Sequence, residues 1–591
     1  MEIYGADISG IEGQLIRFKA IKEENRHGVT LLGLAQKVVK EGIVRAVKAI
    51  ETLEGEWDVV SNQGYTIDLH PAEDPKTSSG LDLPLAIMLL QASILQGEET
   101  VRILIDKRQK QLAKLKHESS KNKLKEQILD QINSLNNRLE LIQKYRERIR
   151  DNKKKYLLIG TLDIINGEIE SPQRGMFGMI SAIEKNFSVI IPEDAEVQAA
   201  VILKSKKNCN FFKAANIQEV WNVLLGISHP RKVKYNKSKV EHKNINRYIP
   251  NLNAIEGVSK AKYAMTIALA GGHNILLVGP PGHGKTMLSM AAVNLLPRMN
   301  EDEMFEVNKI YSAKGELKGN EVVLTRPFQE ANNNVTEAGL FGGGRPLVPG
   351  LISLAHRGIL YFDEINLCKG QVIENLRTPL NNKIYKITRV NQAIEYPCNF
   401  ILAAAMNPCK CGWYNHYFCP ECKSTFFTTD YGCKKHPTSE LLPKCTCSPR
   451  ATEQYKSKIS KPLLDRIDLK VFVSASDKKE SYDFDYATVT VRRKIQVARE
   501  IQQKRYRGRS SINCNGDVPD KSQMENVDES IMKYLSEINR NLNIDTKRSE
   551  VKSLLVARTI ADLESSNKIK KEHMDLAIDL MGIEDPYFSD L

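Results

Sequence analysis

The sequence predicts a multidomain α/β protein: a parallel-sheet, phosphate-binding module with a C-terminal helical lid, preceded by a second α/β domain. Three observations carry this. The apolar stretch Asn274–Val278 runs straight into a glycine-rich loop and then into a helical pattern. Two further apolar runs, Gly358–Phe362 and Phe400–Met406, end in polar residues, as buried parallel strands do at a ligand-binding edge. Residues 476–591 read as mostly helical.

Length and composition set the bounds. At 591 residues the chain is too long for one ordinary domain. A hydrophobic share of 41% with 27% charged residues excludes a disordered or fibrous chain. No apolar run reaches the roughly 18 residues that span a bilayer. The start, Met1-Glu-Ile-Tyr-Gly, lacks the basic and apolar parts of a signal peptide. The expectation is a cytoplasmic protein with no membrane partner. The net charge of +13 suits a polyanion, nucleic acid being the commonest, although part of that excess lies in one Lys-rich segment, 107–155.

Along the chain, Val38–Leu53 reads as a helix with Val39, Ile43, Val47 and Ile50 on one face. Val59–Leu69 alternates as strands do, and Leu81–Leu95 reads as an apolar helix. Residues 98–153 contain no Gly or Pro, and Ile128, Ile132, Leu135, Leu139, Ile142 and Ile149 follow a heptad-like spacing. This predicts an inserted coiled-coil hairpin turning at His117–Asn122. Globular sequence resumes at Tyr156, with strands at Leu157–Leu162 and Ser188–Ile191 and a helix at Ala195–Lys204. The predicted boundaries are 1–226 for the first domain, 227–249 for a polar linker, 250–475 for the phosphate-binding module and 476–591 for the lid.

The loop Gly279-Pro280-Pro281-Gly282-His283-Gly284-Lys285-Thr286 has the strand–loop–helix setting that a phosphate loop requires. Its glycines let backbone N–H groups turn inward, Lys285 offsets phosphate charge, and Thr286 offers a hydroxyl to Mg²⁺. Asp363 and Glu364 close the strand Gly358–Phe362: Asp363 to hold the water shell of Mg²⁺, Glu364 to polarise an attacking water. Asn407 ends the next apolar strand, where it reaches the γ-phosphate or that water. Arg466, in Leu463–Asp468, and Arg558, in Leu555–Asp562, are the arginines read as stabilising phosphate charge, one across a subunit boundary and one from the lid. On charge alone each is equally a surface ion-pair partner.

Seven of the eleven cysteines fall between Cys409 and Cys447. With His436 they give eight possible ligands: Cys409, Cys411, Cys419, Cys422, Cys433, His436, Cys445 and Cys447. Zinc takes four sulfur or nitrogen ligands, so eight suit two ions, with the pairing open. Saturated thiolate sites leave no open position, so the zinc would be structural. Cys209, Cys368, Cys398 and Cys514 stand alone and read as core residues.

These motifs resemble a known family. Gly271–Gly282, Pro349–Glu364 and Ser460–Leu469 are similar to the magnesium-chelatase-like AAA+ proteins, in particular the ComM/YifB branch. Val556–Leu563, Asp68–Lys76 and the Leu-Asp-Leu-Pro around Asp82 also look like that branch. The resemblance covers almost the whole chain except 98–153 and part of the cysteine cluster. It implies a Lon-protease-like first domain and an AAA+ module using ATP and Mg²⁺. It also implies a hexameric ring acting on single-stranded or branched DNA as a helicase that promotes branch migration in natural transformation. It assigns Lys285 and Thr286 to Walker A, Asp363 and Glu364 to Walker B, Asn407 to sensor 1, Arg466 to the arginine finger and Arg558 to sensor 2. It groups Cys409, Cys411, Cys445 and Cys447 in one zinc site, leaving Cys419, Cys422, Cys433 and His436 for a second, inserted one within 409–447. A pore-facing hairpin of the family falls on Asn381–Arg389, with Lys383, Lys386 and Arg389 at its DNA-facing tip. The alternative is a chelatase-type ATPase remodelling a protein partner, since the same core serves both. Departures are visible: Arg326–Asn334 lacks the family's basic and imidazole groups, and Ser171–Gly178 has no Lys, so Ser78 and Ser79 stay unassigned and no peptidase activity is expected.

Overall fold

The computed structural model describes residues 1–23, 27–53, 64–114, 122–183, 187–205, 210–234, 241–243, 249–389, 392–423, 425–426, 435–436, 440–473, 487–508, 514–519, 527–541 and 547–589. The chain forms two compact units. Met1–Lys243 and Glu301–Val323 make one, Asn244–Asn300 and Leu324–Leu591 the other. Reading 250–475 as one unbroken module therefore misses a segment. Glu301–Val323 lies in the first unit because its helix Glu301–Lys314 buries Val307, Ile310 and Tyr311 there, packed on the helices Met176–Ser181 and Glu196–Ser205.

The first unit is built on an eight-stranded mixed sheet. Its order is Arg231–Lys232, Asn210–Ala214, Phe187–Pro192, Lys155–Leu158, Glu2–Ser9, Glu12–Glu23, Gly64–His70, Gly28–Leu32. The segment read as a linker thus contributes an edge strand, Arg231–Lys232, pinned by Arg231 to Glu219 (2.5 Å) and Glu193 (3.2 Å). It contributes a second short strand, Glu241–His242, paired with Glu321–Val322. The apolar helix does not stop at Leu95. It continues as Asp82–Lys114 through Gly97, because a single glycine costs only about 1 kcal/mol and Val101 and Ile105 extend the buried stripe. The helix Asn122–Asp151 packs along it and buries Ile128, Ile132, Ile142 and Ile149. Most of the expected turn lies outside the described residues; Asn122 already opens the second helix. By length and composition Ser79–Lys114 could cross a membrane, but 83% of its apolar window is buried in the fold, as in a core helix.

The second unit holds a five-stranded, all-parallel sheet. Its order is Phe328–Ala331, Ile359–Phe362, Ile401–Met406, Ile275–Val278, Leu469–Phe472. Three of these strands, Ile275–Val278, Ile359–Phe362 and Ile401–Met406, are buried at every residue. Helices cover both faces, which is why these stretches read as continuous apolar runs rather than alternating ones. On one face the core joins Ser259–Gly271 and Lys285–Leu295 to the C-terminal helices Thr488–Arg505, Lys547–Leu563 and Lys571–Leu580. The strand order sets Ile401–Met406 between the other two strands that carry the predicted site. Because all run parallel, Gly279, Asp363 and Asn407 leave the sheet at the same edge.

Candidate active site

The phosphate loop bridges Ile275–Val278 and the helix Lys285–Leu295. Gly282 (φ 78°) and Gly284 (φ 74°) turn it through left-handed conformations, which glycine adopts at no steric cost. Lys285 is buried and donates to the carbonyls of Gly279 (2.7 Å) and Pro280 (2.9 Å) and to Asn407 Oδ1 (3.2 Å). Burial pulls its amine down to about 8, opposed by the carboxylates of Asp363 and Glu364.

Asp363 and Glu364 follow their strand directly. Glu364 sits at φ 49°, a left-handed conformation that costs a non-glycine residue of order 1–3 kcal/mol. Asn407 Nδ2 donates to Glu364 Oε1 at 3.1 Å, so Asn407 links the lysine and the glutamate through its two amide atoms. Thr286 Oγ1 and Asp363 Oδ1 both contact one hydroxyl, that of Tyr361, at 3.0 and 3.1 Å. Two oxygens meeting at one hydroxyl fit the oxygen-rich, partly water-filled coordination that Mg²⁺ takes. Sequence reasoning passed over Tyr361. The signal was present: it is the polar-tipped residue two before Asp363, and residues two apart on a strand share a face.

The two arginines are placed differently. Arg466 follows the short helix Lys461–Leu464; one guanidinium nitrogen donates to the Pro462 carbonyl, while its buried Nε has no hydrogen-bond partner among the described residues. Burial, then the nearby Arg548 and Arg377, lowers its pKa against the opposing pull of Asp465 and Glu374. Its backbone is fixed by Asn274 Nδ2, which donates to the Arg466 carbonyl (3.0 Å), and Asn274 N–H donates to Asp468 (3.0 Å). Asp468 in turn pairs with Lys552 at 2.6 Å. Arg558 is held within the C-terminal helices, donating to Asp562 Oδ1 (3.0 Å) and to the carbonyls of Ser566 and Asn567. These contacts do not bring it to Gly279–Thr286.

The cysteine-rich element grows directly from Asn407. Cys409 Sγ lies 3.4 Å from Cys411 and 3.7 Å from Cys445, and Cys411 lies 3.5 Å from Cys445. Cys447 completes a group whose ligand atoms all fall within 4.8 Å of one another. Zinc–sulfur bonds of about 2.3 Å in a tetrahedron set sulfurs about 3.8 Å apart, so this group fits a zinc ion and could hold one. Cys419, Cys422 and His436 form a second group, with Cys419 Sγ 3.6 Å from His436 Nδ1. Cys433 lies outside the described residues. Of the cysteines read as core, Cys368, Cys398 and Cys514 are buried, and Cys209 lies outside the described residues. The element presses on the phosphate loop: a Cβ at Gly412 would fall 2.7 Å from Pro281, and the Trp413 ring stands 6.3 Å from that of His283. Lys444 covers the same Trp413 ring at 3.1 Å. The chain end reaches it too, with the Tyr587 hydroxyl donating to the Pro408 carbonyl (2.8 Å), between Asn407 and Cys409.

The expected hairpin is present as Ile384–Arg389 paired with Gln392–Pro397. Lys383 and Lys386 do not stand at its tip. Lys383 stands at the foot, where it ends the helix Arg377–Asn382 (φ 58°), and Lys386 sits mid-strand, 3.2 Å from Glu395. The side chain of Arg389 lies outside the described residues.

A parallel sheet that brings a phosphate loop, an acidic pair and an asparagine to one edge defines a P-loop nucleotide site of the AAA+ class. Comparison with known proteins narrows this. The family model described as "Magnesium chelatase, subunit ChlI" matches residues 251–435 and 420–481. The model of its C-terminal part matches 486–581, and "Subunit ChlI of Mg-chelatase" matches 19–115. The chain is 27% identical to the uncharacterized protein YifB of Escherichia coli, over 94% of this chain and 92% of that protein. It is 27% identical to the competence protein ComM of Haemophilus influenzae, over 98% of this chain and 96% of that one. The magnesium-chelatase 67 kDa subunit of Heliobacterium mobile is 27% identical over 28% of this chain and 29% of its own. The chain belongs to the magnesium-chelatase-like AAA+ proteins, as a ComM/YifB-like member.

Proposed function

We propose that this protein hydrolyses ATP and uses the energy to move on DNA as a hexameric ring, migrating branched recombination intermediates in natural transformation. The observation that carries the catalytic part is the hydrogen-bonded line Lys285–Asn407–Glu364 at the sheet edge. It couples the phosphate-facing cation to the carboxylate that accepts the proton of the attacking water. Thr286 and Asp363 would hold Mg²⁺, which would supply charge offsetting that of the phosphates. Arg466, with its unsatisfied Nε, serves a neighbouring subunit's nucleotide, so the active unit is an assembly. Arg558 would have to leave Asp562 to act as a lid sensor.

The net charge of +13 and the full-length likeness to a competence protein favour DNA as the partner. Likeness to chelatase subunits over the ATPase core favours a second reading, remodelling of a protein partner. ATPase assays with no DNA, single strands, duplex and a four-way junction separate the two. Several-fold stimulation by at least one DNA is expected. DNA affinity is expected to fall about tenfold or more between about 50 and 200 mM salt, as counterions released at phosphate contacts dictate. Salt-insensitive affinity with no stimulation by any DNA would transfer the proposal to the protein-remodelling reading.

Two structural zinc ions complete the proposal, one on Cys409, Cys411, Cys445 and Cys447, the other on Cys419, Cys422, Cys433 and His436. Elemental analysis of freshly purified, reduced protein is expected to return about two zincs per chain. Cys445→Ser should leave about one. Protein without zinc would remove both sites from the proposal.

A further inference from the structure

The strand Ile359–Phe362 is buried throughout, and one of its side chains carries a polar tip. The Tyr361 ring is fully buried and stacks on Phe328 at 5.9 Å. Its hydroxyl emerges at the sheet edge between Thr286 Oγ1 (3.0 Å) and Asp363 Oδ1 (3.1 Å).

Acceptor chemistry fixes the direction of these two bonds. An ionised carboxylate has no proton to give, so toward Asp363 the tyrosine must donate. A phenol has a single hydrogen, so toward Thr286 it can only accept. The Thr286 hydroxyl hydrogen is therefore committed to Tyr361, and its lone pairs are left for another partner.

We propose that Tyr361 is a positioning residue for the magnesium site: by taking the hydrogen of Thr286 and giving its own to Asp363, it presents the threonine oxygen to the cation as a ligand with only lone pairs exposed. The proposal rests on the nucleotide-site reading above. Mg²⁺ demands near-ideal octahedral geometry, so a threonine free to turn its hydrogen toward the ion is a poorer ligand. Removing an outer partner of a metal ligand typically costs about 10–100-fold in metal affinity.

The test uses the full chain and a fluorescent ADP analogue, titrated first in EDTA and then against Mg²⁺. Tyr361→Phe keeps the ring and its packing, and melting temperature checks the fold. The variant is expected to bind metal-free nucleotide within about twofold of wild type, yet to need about tenfold more Mg²⁺ for half-maximal tightening. Thr286→Ala supplies the second arm: with the ligand gone, adding Tyr361→Phe should change the Mg²⁺ requirement less than about twofold, because the two residues act as one unit. Equal Mg²⁺ requirements in wild type and Tyr361→Phe, or additive effects in the double variant, would overturn this inference alone. Wild-type protein that binds no nucleotide would overturn the site reading, and this inference with it.

Discussion

Glu364→Gln is expected to lower ATP turnover by about 10²–10⁴-fold while leaving nucleotide affinity within a few-fold of wild type. Glutamine has the same shape and keeps an oxygen for Asn407 Nδ2, now 3.1 Å from Glu364 Oε1. It removes only the basicity. The strained left-handed backbone at Glu364 is also kept, so the amide stands where the carboxylate stood. Single-turnover hydrolysis and fluorescent-nucleotide binding, measured on the same preparation, separate chemistry from binding. Turnover near the wild-type rate in this variant would move the general base to another residue.

Lys285→Ala should act one step earlier, on binding. Its amine holds two loop carbonyls and Asn407 from a buried position. Removing a buried, hydrogen-bonded charge is expected to weaken nucleotide affinity by roughly a hundredfold, about 2.8 kcal/mol. The same amine sets a pH dependence whose sign follows from its depressed value of about 8. Below pH 8 the lysine is charged and attracts phosphate; above it the charge is lost and so is the attraction. Wild-type affinity at pH 9 should therefore fall about tenfold from its value at pH 7, and the dependence should be flat in Lys285→Ala. A pH-independent wild type would sink the assignment of the lysine as the phosphate's counter-charge.

The arrangement of the candidate site was largely legible in the sequence because it is written in short segments. Gly279–Thr286, Asp363–Glu364 and Asn407 each follow an apolar run, and a parallel sheet places such run-ends together without further instruction. The thiol group of Cys409, Cys411, Cys445 and Cys447 was legible for a different reason: few other constraints put that many cysteines at such spacing in a chain of this class. What escaped depends on partners far away in sequence. Tyr361 looks like one more β-forming aromatic until Thr286 is known to stand beside its hydroxyl. The bonds of Arg558 to Asp562, Ser566 and Asn567 belong to a helix end that no motif marks. The hairpin's charges were placed from the resemblance alone, which does not show that Lys383 ends the helix before the hairpin and that Lys386 pairs with Glu395. The continuation of Asp82–Lys114 through Gly97 was missed because composition changes there while the apolar stripe does not.

The assignment of Glu301–Val323 to the first unit also fixes an order of events during synthesis. The ribosome delivers Met1–Lys243 first, but the helix Glu301–Lys314 arrives only after the phosphate loop and its helix. Until then the backbone N–H of Gly175 has no Ser312 carbonyl to meet at 2.9 Å, and the Phe177 N–H has no Ser312 hydroxyl at 3.2 Å. The helices Met176–Ser181 and Glu196–Ser205 wait with the faces that pack on Glu301–Lys314 still bare. Domains generally fold in the order they emerge. Here the first unit can close only after part of the second has been made, so a nascent chain of this protein carries an unfinished apolar surface through the translation of its own nucleotide-binding loop.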